Sequence, residues 1–163
     1  MSQESKSQLE SLLPYGMVAT KKWLSAKGVE RHTLDNAVKS KRLESLAVGV
    51  YTRPGVPVSW EGVVCSLQRI TNMPVHVGGI TALELLGFGH YLSSSKKKTV
   101  HLYSEEKLPS WVGKLKLGST FRWHGSKTVW PEEVLVSKDF VKKHNWRDEM
   151  PDLLVSSPEK ACL

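Results

Sequence analysis

Two short helices with marked ends, followed at once by a pair of short strands, are predicted between residues 20 and 53. Thr20 is suited to cap the first helix, and Gly28 stands where a helix end favours a left-handed residue. From Gly28 to Leu43 the apolar residues recur about one turn apart, so the second helix packs one narrow face and leaves the other for solvent. Only a few residues separate the helices, which favours an angled helix-turn-helix over a side-by-side hairpin.

The segment LESLAVGVYTRPG, which follows the second helix, alternates in polarity around Gly49 and predicts a small β-ribbon. Before the first helix, Leu9, Leu12 and Leu13 have helical spacing and Pro14 ends the run. Helix, turn, helix and ribbon is the order of elements in a winged helix-turn-helix, whose second helix enters the DNA major groove. We expect this domain to span residues 11–73, behind a frayed polar tail of residues 1–10.

Basic charge is concentrated in the same segment. The chain has 163 residues and a formal net charge of +7. Between Thr20 and Arg53, eight basic residues face three acidic ones, a surplus of +5, so the remainder is expected to be close to balanced. A localised positive surplus favours a polyanionic partner such as duplex DNA.

The side chains of the second helix suit two kinds of contact with DNA. Arg31 and Asn36 can read base edges through paired hydrogen bonds, whereas Thr20, Lys21 and Lys22 can hold phosphates. The full set of expected DNA-binding residues is Thr20, Lys21, Lys22, Arg31, His32, Thr33, Asn36, Lys39, Ser40, Lys41, Arg42, Tyr51 and Arg53.

Beyond this segment the pattern predicts a mixed set of helices and strands. Residues 58–72 have helical spacing, and a short strand, a turn at Gly78 and Gly79 and a helix with a capping box at Thr81 and Glu84 follow. Further strands are predicted at KTVHLYS, VLVS and DLLVS, and FRWHGSKTVW is predicted to be a hairpin that turns at Gly125-Ser126. The expected fold class is α+β, with a second domain over residues 74–163.

The chain ends soon after a helix start signal. Ser157, Pro158 and Glu159 provide a cap, a first-turn proline and an acid, yet few residues follow them. An isolated helix shorter than about 12 residues is marginally stable. We therefore expect the second domain to be truncated.

Enzymatic and metal-binding motifs are missing from the sequence. The six histidines form neither H-x₃-H nor H-E-x-x-H, and no P-loop or G-x-S-x-G is present. We therefore predict no catalytic residues, no metal and no cofactor. Because no segment has the apolar core of a signal peptide or the ~20 apolar residues of a membrane span, a cytoplasmic protein without membrane association is expected.

Two alternatives to DNA binding remain open. A small helix-turn-helix can serve as a protein-interaction module, and Lys-rich helices occur for solubility alone. The tryptophans of the second half, Trp111, Trp123, Trp130 and Trp146, fit core or interface anchoring, but beside Arg122 and Lys127 they also suit single-stranded RNA. A protein- or RNA-interaction module is therefore the alternative function.

Three stretches resemble AbiEi-type antitoxins, the transcriptional regulators of abortive-infection type IV toxin–antitoxin systems. They are VATKKWLSAKGVERHTLDNAVKSKRLESLAVGVYTRPG, VHVGGITALELLGFGHYL and LLVSSPEKA, and the resemblance covers nearly everything after residue 11. Its most specific parts are GVYTRPG and the GGITALELLG segment. The chain departs from the family at Lys41, where a glycine is common, and at Val48, where a basic residue is common.

The resemblance implies a function in phage defence. It implies an N-terminal winged helix that binds repeats in its own promoter as an autorepressor. It also implies a C-terminal domain that counteracts a nucleotidyltransferase-like toxin without a stable complex. Because family members extend well past the SSPEKA helix start, the antitoxin activity of these 163 residues is expected to be incomplete.

Overall fold

The computed structural model describes residues 3–70, 75–88, 97–130, 140–148 and 150–162, which form helices and two β-sheets. Within this part of the chain no helix has the length and apolar character needed to cross a membrane. The elements in chain order are α1 (Gln3–Leu12), β1 (Ala19–Thr20), α2 (Lys21–Ala26), α3 (Arg31–Lys39), β2 (Glu44–Ala47), β3 (Val50–Thr52), α4 (Trp60–Ile70), β4 (His76–Val77), α5 (Gly79–Leu85), β5 (Lys98–Ser104), a 3₁₀ helix (Ser110–Lys114), β6 (Ser119–Gly125), α6 (Ser126–Val129), β7 (Val141–His144), β8 (Leu153–Ser156) and α7 (Pro158–Cys162).

Helix α1 begins at Gln3 and so occupies most of the segment expected to be a frayed tail. Leu9 and Leu13, one helical turn apart, are only 3% and 1% exposed. Their burial holds the C-terminal turn of the helix against the core. Residues 3–10 of the expected tail thus belong to α1, and the helix before Pro14 is confirmed.

Helix α2 has the ends that its sequence predicts. The Thr20 Oγ1 accepts a hydrogen bond from the Trp23 backbone N–H at 3.2 Å, and Gly28 adopts a φ of +91° after the helix. The Val29 N–H then donates to the Leu24 carbonyl at 3.0 Å, which fixes the four-residue turn before α3. Capping and turn residues thus mark both ends of α2, and the Gln8 side chain supports the turn by donating to the Lys27 carbonyl at 3.0 Å.

Helix α3 buries Leu34 and Ala37 completely, as the apolar stripe predicts. The helix ends near Lys41, the non-glycine residue of the described chain with a positive φ, at 58°. Lys41 thus takes the left-handed conformation that usually falls to glycine after a helix.

The predicted ribbon forms two strands of a three-stranded antiparallel sheet in the order β1-β3-β2. Ala19 lies opposite Tyr51, and Glu44 lies opposite Thr52. Gly49, with φ +71°, allows the tight turn between β2 and β3. The Thr52 hydroxyl donates to the Met17 carbonyl at 2.8 Å and joins the sheet to the segment after α1.

Helix α4 lies where the core of the first sheet meets that of the second. Its inner residues Trp60, Val63, Val64 and Leu67 are buried, in agreement with the predicted periodicity of residues 58–72. The helix contacts both β1 and β8. A single continuous apolar cluster therefore runs from Leu9 to Val155.

The second sheet has five strands in the order β6-β5-β4-β8-β7. Strands β5 and β6 pair in parallel over seven residue pairs, from Lys98 opposite Ser119 to Ser104 opposite Gly125.

The strands predicted at KTVHLYS and DLLVS are confirmed. The hairpin at Gly125-Ser126 is wrong, because β6 ends there and helix α6 begins, and β6 pairs with a preceding strand instead. The VLVS strand lies outside the described residues.

The short helices α5 and α7 pack against each other beside this sheet. Gly78, not Thr81, occupies the N-cap of α5, and the buried Thr81 hydroxyl accepts from the His101 N–H at 3.0 Å. The capping box is therefore wrong, because the N-cap lies three residues earlier, at Gly78, and Thr81 faces β5. Helix α7 begins at Pro158, as the start signal predicts.

A stack of aromatic rings fills the space between β4, β5 and α6. His76 is 6% exposed and contacts the rings of Tyr103 and Trp130, with ring centroids 5.8 and 5.4 Å away, while those two rings lie 4.4 Å from each other. The Lys160 ammonium lies 4.3 Å from the centroid of Trp130. Burial, aided by the charge of Lys160, lowers the pKa of His76 to about 3. His76 is therefore neutral in the folded protein at physiological pH.

We predict that stability falls on acidification because of His76. Its pKa is lower in the folded state than in the unfolded chain, so the stabilisation is complete above pH ~6.5 and is lost as the pH falls toward 3. Between pH 7.5 and 5.0 this residue accounts for a loss of roughly 2 kcal/mol in the free energy of unfolding. His76→Phe keeps an aromatic ring in the stack but has no imidazole to protonate. Between these pH values its free energy of unfolding should therefore fall by roughly 2 kcal/mol less than that of the wild type. Urea denaturation at both pH values measures this difference.

His32→Gln is the matched control, because the His32 side chain is 71% exposed. This variant should keep the pH dependence of the wild type. An identical loss of stability in His76→Phe and wild type would show that the residue does not carry the effect.

Candidate nucleic-acid interface

The start of α2 and the turn of the β2–β3 ribbon lie side by side. The Lys21 backbone N–H donates to the Gly49 carbonyl at 2.8 Å, which ties the helix to the turn. Lys22 is exposed, and Val48 at the turn is 95% exposed. Two lysines and a protruding apolar side chain therefore share one surface, while the Thr20 hydroxyl beside them caps α2.

The outer face of α3 carries the polar side chains that the sequence analysis selected. Arg31 projects with 80% of its side chain exposed. The other exposed members of the set on and just after the helix are His32, Asn36, Lys39, Ser40 and Lys41. The Arg31 guanidinium and the Asn36 carboxamide, both on this exposed face, can each form two hydrogen bonds with a base edge.

Two carboxylates lie on the same surface. Arg31 Nε is 4.0 Å from Asp35 Oδ2, and His32 Nδ1 is 3.0 Å from Glu30 Oε2. Exposed ion pairs of this kind contribute little stability, about 0–1 kcal/mol. Arg31 and His32 are therefore available to change partners when a stronger anion approaches.

Two further members of the expected set, Arg42 and Arg53, lie with Lys41 around a separate cleft of about 380 Å³. Lys41, Arg42 and Arg53 line this cleft beneath α1 together with Tyr15 and Glu10. The Arg53 guanidinium lies 3.8 Å from the centroid of the Tyr15 ring and 3.9 Å from a Glu10 carboxylate oxygen, and only 16% of its side chain is exposed. Arg53 thus contributes to packing at the base of the ribbon.

Two expected DNA contacts have their side chains in the interior. Thr33 is 6% exposed and Tyr51 is 9% exposed, and Tyr51 belongs to the apolar core. Thr33 is one of the expected DNA contacts, but it lies at the edge of the buried face of α3, beside the fully buried Leu34. Neither side chain has appreciable surface to offer a ligand.

A groove of about 1050 Å³ extends the surface of α2 toward the second sheet. It is lined by Lys21, Lys22, Trp23 and Val48 on one side and by Pro109, Ser110 and Trp111 of the 3₁₀ helix on the other. This side of the groove was not predicted, because no short segment of the sequence contains both sides. The basic charge of the second half was not predicted either. Residues 107–130 contain five cations and no carboxylate, a surplus that acidic residues elsewhere conceal in the total; they are Lys107, Lys114, Lys116, Arg122 and Lys127.

The Cys65 thiol in α4 and two stacked histidines of the second sheet have shifted pKa values. Burial raises the pKa of the Cys65 thiol to about 11, so the thiolate is scarce at neutral pH. His101 Nδ1 and His124 Nε2 lie 2.9 Å apart, and partial burial, aided by Arg122, lowers the pKa of both residues. Among the described residues, no group of three or more His, Cys, Asp or Glu side chains is placed to hold a metal ion.

Comparison with known proteins identifies the N-terminal part of the chain. The model of the family described as "Transcriptional regulator, AbiEi antitoxin N-terminal domain" matches residues 2–94, which is more than half of the chain and includes α1 to α5. No curated protein matches the sequence. The matched segment contains α2, α3 and the ribbon, whose exposed cations form the surface described above. The chain therefore belongs to the AbiEi family of antitoxin transcriptional regulators.

Proposed function

We propose that the chain is a transcriptional regulator that binds duplex DNA through a winged helix-turn-helix formed by α1 to β3. The order α1-β1-α2-α3-β2-β3 and the sheet order β1-β3-β2 support this assignment. In the proposed complex α3 enters the major groove and the β2–β3 ribbon is the wing. We further propose residues 11–73, preceded by the rest of α1, as the DNA-binding domain and residues 74–163 as a second domain.

One observation carries the proposal more than any other. The hydrogen bond from the Lys21 N–H to the Gly49 carbonyl, at 2.8 Å, holds the lysines of α2 beside the turn of the proposed wing. Phosphate contacts from helix and wing can therefore form along one stretch of DNA backbone. Phosphate contacts supply sequence-independent affinity, and base contacts from α3 supply discrimination.

The proposed division of roles follows the exposure of each side chain. Lys21, Lys22 and Lys39 hold phosphates, whereas Arg31 and Asn36 read base edges. His32, Ser40 and Lys41 lie beside them and complete the exposed set. Because Thr33, Tyr51 and Arg53 are largely covered, their part in the proposal is to support α3 and the ribbon from within.

We expect duplex binding to depend steeply on salt. If roughly four to six phosphates are neutralised, log K should fall against log salt with a slope of about −4 to −5. Fluorescence anisotropy of a labelled random-sequence duplex at several salt concentrations measures this slope. Lys22→Gln should make the slope shallower by about 1, and Lys143→Gln on β7, in the second sheet, is the matched control with the same charge change.

A slope near zero, or no duplex binding at low salt, would leave the interaction-module alternative as the better account. A protein-interaction module has no reason to release many counterions from DNA.

Base readout is tested by the ratio of two affinities. Arg31→Ala and Asn36→Ala should each reduce discrimination between the DNA upstream of the gene and a random duplex by roughly 1–3 kcal/mol. Lys22→Ala should weaken binding to both DNAs alike, because a phosphate contact carries no sequence information. Equal losses on both DNAs for all three variants would reject the division of roles.

We also propose that the chain represses its own promoter and acts as the antitoxin of a type IV system against a nucleotidyltransferase-like toxin, without a stable complex. Family membership supports this part of the proposal. Co-expression with a nucleotidyltransferase encoded beside the gene should restore cell survival, and affinity purification should not recover the toxin with the antitoxin. Toxin killing that expression of the chain leaves unchanged would count against the antitoxin role.

A further inference from the structure

The cleft beneath α1 brings together four cations from three parts of the chain. Lys6 lies in α1, Lys41 and Arg42 follow α3, and Arg53 follows β3. Among the described residues that line the cleft, the one carboxylate is Glu10, so four cations and one anion leave a formal surplus of +3. The volume of about 380 Å³ lies within the range of roughly 300–1000 Å³ that is typical of small-molecule sites.

The Arg53 guanidinium has hydrogen-bonding capacity that the protein does not use. Only 16% of this side chain is exposed, and its guanidinium carbon lies 3.8 Å from the centroid of the Tyr15 ring. Within the described part of the chain, no hydrogen bond joins the guanidinium to another residue. A guanidinium carries five N–H donors, and donors that are so largely covered are usually paired. The stacking on Tyr15 therefore holds in place a set of donors that still lacks an acceptor.

The nearest carboxylate does not supply that acceptor. Glu10 Oε1 is 3.9 Å from Arg53 Nη2, which is too far for a hydrogen bond. The Glu10 side chain is 48% exposed, and ion pairs of such exposed groups contribute little stability. Another anion can therefore take the place of Glu10 beside Arg53 at little cost.

A phosphate group matches these requirements better than a carboxylate does. A phosphomonoester carries nearly two negative charges at neutral pH and three acceptor oxygens, which suits a positive surplus shared by several side chains. Guanidinium groups bind phosphate through two parallel hydrogen bonds, and lysines bind it as point charges. Because Arg53 is largely covered, a terminal phosphate reaches it more easily than a phosphodiester, which is flanked on both sides by the chain of a polymer.

A second cleft gives room for the rest of such a molecule. It has a volume of about 440 Å³, shares Glu10, Tyr15 and Arg53 with the first cleft, and extends to Arg147 and Met150. The stacked pair of Tyr15 and Arg53 thus stands between the two clefts. An organic group attached to a phosphate in the first cleft can extend past this pair into the second.

We propose that the cleft beneath α1 binds a small phosphomonoester, whose phosphate is held by Arg53 and by the exposed Lys6 and Lys41. The inference goes beyond the proposed function and does not depend on DNA binding. The bound phosphate joins α1 to the residues that follow α3 and β3. The ligand therefore contacts both elements that the proposed function places on DNA.

The test is isothermal titration calorimetry of the full chain at constant ionic strength, with adenosine monophosphate, ribose 5-phosphate and inorganic phosphate as probes. Arg53→Gln should weaken binding of each probe roughly 10-fold or more, because two charge-assisted hydrogen bonds are lost. Lys6→Gln removes one exposed cation and should weaken binding roughly 3-fold. Arg69→Gln is the matched control: its guanidinium also lies near an aromatic ring, 5.5 Å from the centroid of Trp23, but Arg69 does not line the cleft, so binding should be unchanged.

Heats no larger than those of sodium chloride for all three probes would overturn the inference. Binding that neither Arg53→Gln nor Lys6→Gln weakens would place the ligand elsewhere and overturn it as well, and Lys6→Gln decides alone if Arg53→Gln does not fold. Equal affinity for adenosine monophosphate and inorganic phosphate supports recognition of the phosphate alone, whereas tighter binding of adenosine monophosphate than of ribose 5-phosphate supports a nucleotide.

An anisotropy assay with a duplex separates this site from the proposed DNA contacts. Lys6→Gln should bind the duplex as the wild type does, because Lys6 is not among the expected DNA-binding residues. A loss of duplex affinity as large as the loss of phosphomonoester affinity would assign the cleft to the DNA backbone and overturn the inference. The calorimetric titrations contain no DNA, so a chain that fails to bind the duplex leaves their outcome unaffected.

Discussion

The close approach of α4 to the segment after α1 is the constraint on which the rest of the fold depends. Gly62 lies against the backbone of Gly16, and a β-carbon at Gly62 would collide with the Gly16 carbonyl oxygen. Next to this contact, the buried Ser66 hydroxyl accepts from the Val18 N–H at 2.9 Å and donates to the Gly62 carbonyl at 2.6 Å. The absent side chain and the shared hydroxyl let two backbones touch in an interior where unpaired polar groups are costly.

This contact places the surface that carries function. Val18 leads directly into β1, and β1 pairs with β3 of the ribbon, so the position of α4 fixes the three-stranded sheet. On its other side α4 contacts β8 of the second sheet. Helix α4 therefore joins the sheet of the ribbon to the second sheet.

Local chemistry explains which parts of the structure were predictable from the sequence. Thr20, Gly28 and Gly49 act within a few residues of themselves, and all three have the predicted roles. Burial of Thr33 and Tyr51, the start of α5 at Gly79 and the parallel pairing of β5 with β6 depend on distant partners. The candidate surface was predictable where it consists of one helix and its neighbours, and the side formed by Trp111 was not, because no short segment contains both sides of a groove.

Lys41 occupies a position after α3 where glycine would be less strained. Its left-handed conformation, φ 58°, is strained for a residue with a β-carbon by about 1 kcal/mol relative to glycine. The chain keeps a cation there, exposed after the last turn of α3. The end of this short helix is thus less stable than a glycine at position 41 would make it, and replacement of Lys41 by glycine would remove the strain together with the cation.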